Sequence, residues 1–242
     1  MSPNRWMGRP LRNSSVTWLI RENREFARSL ADGSLVLDAG AGRQQYRKLF
    51  DHCRYEAADF EMVDKVYGNS TYVCDLSRIP VEDGRFDAVI FNQVMEHLPE
   101  PNAVLRELYR VLKPGGRMMA SAPLFYEEHE KPYDFYRYTQ FAWRRMLGSA
   151  GFEIQSLKWL EGYHGTLAYQ LQRASECLPR RPSQIAPGLK GWIALPAVLL
   201  FRAIAWPFAN LFYRLDELHR YQNRGYPKNY VAIAIKPQSH QT

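Results

Sequence analysis

The stretch SLVLDAGAG, residues 34–42, decides how the chain is read. Leu35, Val36 and Leu37 form a short apolar run, the pattern of a strand buried on both faces. It enters a turn with glycines at 40 and 42, where a missing Cβ lets backbone pass close to a ligand. A helix over 43–50 would follow and offer its first N–H groups to that ligand. Working outward, strands are predicted at 55–58 (ending at Asp59), 72–74 (ending at Asp75), 86–91, 117–122, 152–157 and 230–236. Helices are predicted at 14–30, capped by Ser14 or Ser15, and at 101–112, where Val104, Leu105, Leu108 and Val111 recur at helical spacing. Thr139 caps a further helix that Gly151 terminates. Strands alternating with helices predict an α/β protein whose mostly parallel sheet is covered on both faces.

The composition narrows the function classes. The chain has 242 residues, 46% of them hydrophobic and 24% charged, enough for a sizeable core and far from a disordered tail. Cys53, Cys74 and Cys177 form neither a disulfide framework nor a CxxC, and no His/Cys cluster has metal-ligand spacing, so no metal is expected. The first residues mix Arg with Pro and lack an apolar core, unlike a signal peptide, which makes the cytoplasm the expected compartment. The net charge of +7 is concentrated. Residues 1–30 hold six arginines against two glutamates, and residues 161–226 hold eight basic against four acidic side chains. Two basic segments around a near-neutral body suit an anionic partner.

Three acids stand at three successive strand ends. Asp38 precedes Gly40 and Gly42, a position better suited to an ammonium group than to a pyrophosphate. A dinucleotide fingerprint would also need a third glycine where Gln45 stands. Asp59 can accept both hydroxyls of a ribose. Asp75 can accept from an adenine amine while Leu76 packs on the ring. Amino acid, ribose and adenine together describe S-adenosylmethionine. The segments VLDAGAG, AADF, CDLSRIPVEDGRFDAVIFNQVMEHL and LYRVLKPGGRMMASAP resemble, in order, the motifs of class I S-adenosylmethionine-dependent methyltransferases. Within that superfamily they are most similar to the ubiquinone-biosynthesis-type small-molecule group. The resemblance implies a Rossmann-like, doubly wound, seven-stranded sheet with its last strand antiparallel. It also implies that Asn92 and Gln93 line the methyl-donor site.

Methyl transfer to an alcohol needs a base as well as alignment. His129 is the first candidate, His97 the second and Glu128 the third. His129 and Glu128 lie in residues 123–139, a connector too rich in aromatic and polar groups for a plain link. It is expected to roof the acceptor pocket with Tyr126, Tyr133, Tyr136 and Arg137. A similar His…PYDFYRYT run occurs in methyltransferase-like proteins of bacterial surface-glycan clusters, which points to a small-molecule or glycan acceptor methylated on oxygen. The alternatives are an RNA methyltransferase using the basic segments, for which no RNA-binding module is evident, and a non-catalytic assembly factor.

The expected organisation is an N-terminal helical segment (1–32), a catalytic domain (33–160 with 227–242) and a helical hydrophobic insertion (161–226). Residues 191–213 are strongly apolar, but Pro196, Arg202, Pro207 and Asn210 interrupt them. A kinked interfacial hairpin is expected there rather than a spanning helix. It would cover the substrate pocket, form a homo-oligomer interface or rest on an anionic membrane, placing the protein peripherally at the membrane's inner face.

Overall fold

A computed structural model describes residues 13–238. Arg5, Arg9 and Arg12 of the basic N-terminal segment lie outside the described residues. Seven strands form one sheet: β1 Leu35–Ala39, β2 Arg54–Asp59, β3 Tyr72–Val73, β4 Phe86–Asn92, β5 Leu112–Pro123, β6 Glu153–Trp159 and β7 Asn229–Ile235. Their order is β3-β2-β1-β4-β5-β7-β6. All neighbours from β3 to β5 are parallel, and β7 runs antiparallel between β5 and β6. The sheet is the one expected, with β5 beginning five residues early because Leu112 pairs with Phe86 ahead of a register irregularity. Helix α2 (Pro101–Val111) buries Val104, Leu105, Leu108 and Val111 in the core. Burying such side chains contributes roughly 1.5–3 kcal/mol each. In α3 (Gln140–Ser149), Thr139 Oγ1 accepts from Ala142 N–H at 3.3 Å, the expected cap, and Trp143 and Leu147 face the core.

Three local expectations fail for physical reasons. Helix α1 (Ser14–Arg28) is capped by Asn13, whose Oδ1 accepts from Ser15 N–H, and not by a serine. The helix expected over 43–50 is reduced to a 3-10 turn, Arg47–Phe50. Gln44 there has φ 54°, a left-handed conformation that no α-helix admits, and its side chain donates to the Asn69 carbonyl at 2.7 Å. The interrupted hairpin over 191–213 is instead part of one helix, α6 (Leu189–Leu218), continuous through Pro196 and Pro207.

The chain divides into two compact units. One comprises Leu19–Leu160 and the residues from Asn229, and contains the sheet. Of the described residues, the other comprises 13–18 together with Glu161–Lys228, so α1 is divided between the units. In this second unit, which also holds the short α5 (Pro182–Ile185), polar links tie α4 (Tyr163–Cys177) and its flanks to α6. Asp216 of α6 accepts from Gly162 N–H (2.8 Å) and Trp18 Nε1 (3.0 Å), and Arg202 donates to the Leu178 carbonyl (2.6 Å) beyond α4.

Candidate active site

The strand order reverses between β1 and β4, the crevice where open α/β sheets receive ligands at the carboxyl ends of their strands. Among the described residues, four non-glycine residues have left-handed φ: Gln44 (54°), Glu61 (54°), Gln93 (57°) and Glu130 (48°). One follows each of β1, β2, β4 and β5, so the strained backbone gathers at this edge of the sheet.

Asp38, near the end of β1, is 4% exposed and accepts a hydrogen bond from the Tyr55 hydroxyl. Burial pushes its carboxyl up to about 7, outweighing that hydrogen bond. Gly40 has φ +74°, and a Cβ added there would lie 2.3 Å from Val94 Cγ2. Gly42, at φ +49°, has open space where a Cβ would stand. The Gly42 N–H donates to Asp59 Oδ2 at 2.8 Å, and the Glu61 N–H to Oδ1 at 3.2 Å. Asp59 thus shapes the glycine turn and its own loop, with one lone pair left on each oxygen for a diol.

Asp75 is exposed and closes a turn by accepting from Ser77 N–H at 2.8 Å. Leu76, expected to pack on a ligand ring, is 5% exposed and lies in the hydrophobic core. Phe60, directly after Asp59, instead presents a partly exposed ring, edge-on to Tyr133 at 5.8 Å. Asn92 donates to Asn23 Oδ1 (3.0 Å) and accepts from Ser121 Oγ (2.9 Å), while Gln93 donates to the same hydroxyl (3.2 Å). This network fixes the ends of β4 and β5 to α1.

The two candidate histidines meet. Their ring centroids are 4.6 Å apart, edge to face, and Tyr126 packs edge-on against His129 at 5.0 Å. His97 Nδ1 lies 2.5 Å from the Tyr133 carbonyl, and burial lowers the pKa of this imidazole. His129 Nδ1 lies 3.2 Å from the Glu127 carbonyl and 3.3 Å from Asp134 Oδ2. Asp134 is gripped at both oxygens by Arg137 (2.6 and 2.8 Å), which holds its carboxyl well below the usual range. Arg137 also donates to the carbonyls of Tyr126, Glu127 and Tyr136. It therefore builds the loop, where a substrate contact was expected. Tyr136 likewise spends its hydroxyl on the Pro99 carbonyl. Glu128 is exposed and paired with Lys131, outside the cluster.

Two carboxylates absent from the sequence-based candidates join the histidines: Asp134, paired with His129, and Glu96, whose Oε1 lies 3.7 Å from His97 Nε2. Glu96 is wholly buried, and burial pushes it up to about 8. The only signal for it in the sequence is that it directly precedes His97.

Residues 37–120 match the methyltransferase domain family. The sheet unit is a class I S-adenosylmethionine-dependent methyltransferase domain. An arsenite methyltransferase from Aquipseudomonas alcaligenes is 30% identical over 119 residues, 39% of this chain and 34% of that one. The ubiquinone/menaquinone biosynthesis C-methyltransferase UbiE from Desulfotalea psychrophila is 47% identical over 45 residues, 19% of this chain and 18% of that one. tRNA methyltransferases also occur among the curated relatives. The chain spans at most about a third of the length of these curated relatives. The fold is also similar to that of the 1,6-didemethyltoxoflavin N1-methyltransferase from Burkholderia thailandensis, a structure with bound 1,6-didemethyltoxoflavin and S-adenosylhomocysteine. The TM-score is 0.52 at 17% identity, over 90% of this chain and 78% of that one.

The methyltransferase domain takes S-adenosylmethionine, and the crevice residues fit that cofactor. The glycine turn leaves a Cβ-free cradle at Gly42, the buried Asp38 suits a cationic amine, and Asp59 retains acceptor capacity for a sugar.

Proposed function

We propose that the chain methylates a hydroxyl oxygen of a small-molecule or glycan acceptor, with His129 as the general base. The observation that carries this reading is the Asp134–His129 pair. A carboxylate held ionised by Arg137 faces His129 Nδ1 and leaves Nε2 free to accept a proton. Methyl transfer to an alcohol needs a base, and this pair offers one. The exposed aromatic residues of the same connector, Phe125, Phe135 and Tyr136, suit the apolar faces of a sugar ring.

In this reading Asp38 holds the cofactor amine, Asp59 the ribose hydroxyls and Asp75 the adenine amine. Asn92 and Gln93 line the methyl-donor end of the crevice. S-adenosylmethionine supplies an electrophilic methyl group. His129 takes the hydroxyl proton as the acceptor oxygen bonds to that methyl carbon. The carbon–sulfur pair remains on sulfur, and the proton passes from the imidazole to solvent.

His129→Ala should lower turnover about 10²–10⁴-fold and leave S-adenosylhomocysteine affinity, read by titration calorimetry, within about twofold. An equal loss in both would remove His129 from the base role. Labelled methyl donor incubated with lipid, glycan and RNA fractions identifies the acceptor. Incorporation confined to RNA would overturn the glycan reading in favour of the nucleic-acid one.

A second element of function rests on α6. Most of its large apolar side chains are exposed, and by length and composition it is long and apolar enough to cross a membrane. Together with the basic excess of residues 161–226, this supports a peripheral contact with an anionic membrane surface.

A further inference from the structure

Glu96, His97 and His129 each offer one donor atom, and the three atoms lie within 4.8 Å of one another. Neither carboxylate oxygen of the wholly buried Glu96 accepts a hydrogen bond from another residue. His97 Nε2 stands 3.7 Å from its Oε1. A buried carboxylate without donors costs stability unless something positive meets it.

Both imidazoles, meanwhile, are held from behind. His97 Nδ1 sits on the Tyr133 carbonyl, and His129 Nδ1 sits between the Glu127 carbonyl and the Asp134 carboxylate. Each is left with its Nε2 lone pair to offer. Ring N–H groups seated on a carbonyl or carboxylate are how proteins orient metal-binding histidines.

We propose that Glu96, His97 and His129 bind a divalent first-row transition metal ion of the zinc class. Two imidazole nitrogens and one carboxylate oxygen suit such an ion, whereas magnesium and calcium prefer all-oxygen sets. Zinc lies about 2.0–2.2 Å from its ligands, so the donor atoms draw together by about an ångström as it enters. His97 and Glu96 are nearly there at 3.7 Å, and His129, the most exposed of the three, makes the larger movement.

Three protein ligands leave a position open for an acceptor oxygen or water. The site deepens the oxygen-methylation reading and rests on it only for its role. With the ion bound, His129 Nε2 is a ligand and no longer a base, and the ion takes over the activation of the acceptor hydroxyl that the free imidazole performs in the metal-free chain. The acceptor hydroxyl on the open position then loses its proton to solvent, because the cation stabilises the alkoxide.

The test uses the full chain stripped with a chelator and titrated with zinc by calorimetry, and separately with cobalt(II) followed by its visible absorption. One ion per chain is expected. Glu96→Gln and His129→Asn should each weaken zinc about 100-fold or more, and Asp134→Asn, acting through His129, about tenfold. Glu96→Gln keeps the shape and replaces a carboxyl that burial already favours in its neutral form, so the melting temperature of the stripped variant should stay close to that of the unaltered protein. Zinc binding that is absent, or unchanged in Glu96→Gln and His129→Asn, overturns the site. A stripped enzyme that still binds S-adenosylhomocysteine and methylates at full rate also overturns the metal role while sparing the methyltransferase reading. Failure of the stripped and zinc-loaded protein alike to bind S-adenosylhomocysteine counts against that reading instead.

Discussion

Helices α2 and α6 are both rich in apolar residues, and the chain uses them in opposite ways. In α2 the apolar positions fall on one face, and Val104, Leu105, Leu108 and Val111 are at most 2% exposed. In α6 they fall all around the helix, and Trp192, Ile193, Leu200 and Phe208 remain 51–70% exposed. Packing within the chain explains the first helix and leaves the second unexplained. Apolar surface of that size, kept out of the core, is what a binding face looks like.

The strongest way to break this contrast is to charge the outer face of α6. Ile193→Glu with Leu200→Glu should abolish recovery of the protein with floated phosphatidylglycerol vesicles. Two such side chains buried at a membrane surface contribute roughly 3–6 kcal/mol. The melting temperature should not fall. Equal flotation of variant and unaltered chain would reduce α6 to a surface for some other use.

Truncation sharpens the comparison next. Leu108→Ala should destabilise the chain by about 2–5 kcal/mol in urea unfolding, through the cavity it leaves beneath the sheet. Leu200→Ala should stay within about 0.5 kcal/mol. Similar costs at the two positions would mean that α6 is as much a core helix as α2.

The same contrast explains what was legible in the sequence. The strands and α2 are built where local pattern and burial agree, so periodicity alone locates them. The helix expected after the glycine turn is lost because Gln44 takes a left-handed φ and reaches across to Asn69, a tertiary contact that local propensity does not record. Pro196 and Pro207 looked like breaks, yet neighbouring turns carry α6 past them. At the site, the carboxylates at the strand tips could be read from spacing. The partnership of Glu96 with His129, 33 positions apart, exists only once β4 and β5 are paired. The partners of Arg137 and Glu128 were hidden for a related reason. A charged residue in a loop looks free until its salt bridge is seen, and these two are bound to Asp134 and Lys131.

A smaller effect comes from the opposite kind of mismatch, a polar group kept inside the well-packed unit. Burial raises the Asp38 carboxyl to about 7 in the folded chain, far above an unfolded aspartate at about 3.9. Between those values the folded state binds the extra proton, so stability should fall as pH rises from about 4 to about 7 and level off above it. Asp38→Asn should remove that slope. A cofactor ammonium at Asp38 favours the ionised form, so binding S-adenosylhomocysteine should expel a proton. Affinity should therefore rise about tenfold between pH 5.5 and 7, with calorimetric heats that change with the ionisation enthalpy of the buffer. A flat affinity profile would mean that the amine is held elsewhere. The buried acid would then be, like the apolar residues of α2, a matter of folding alone.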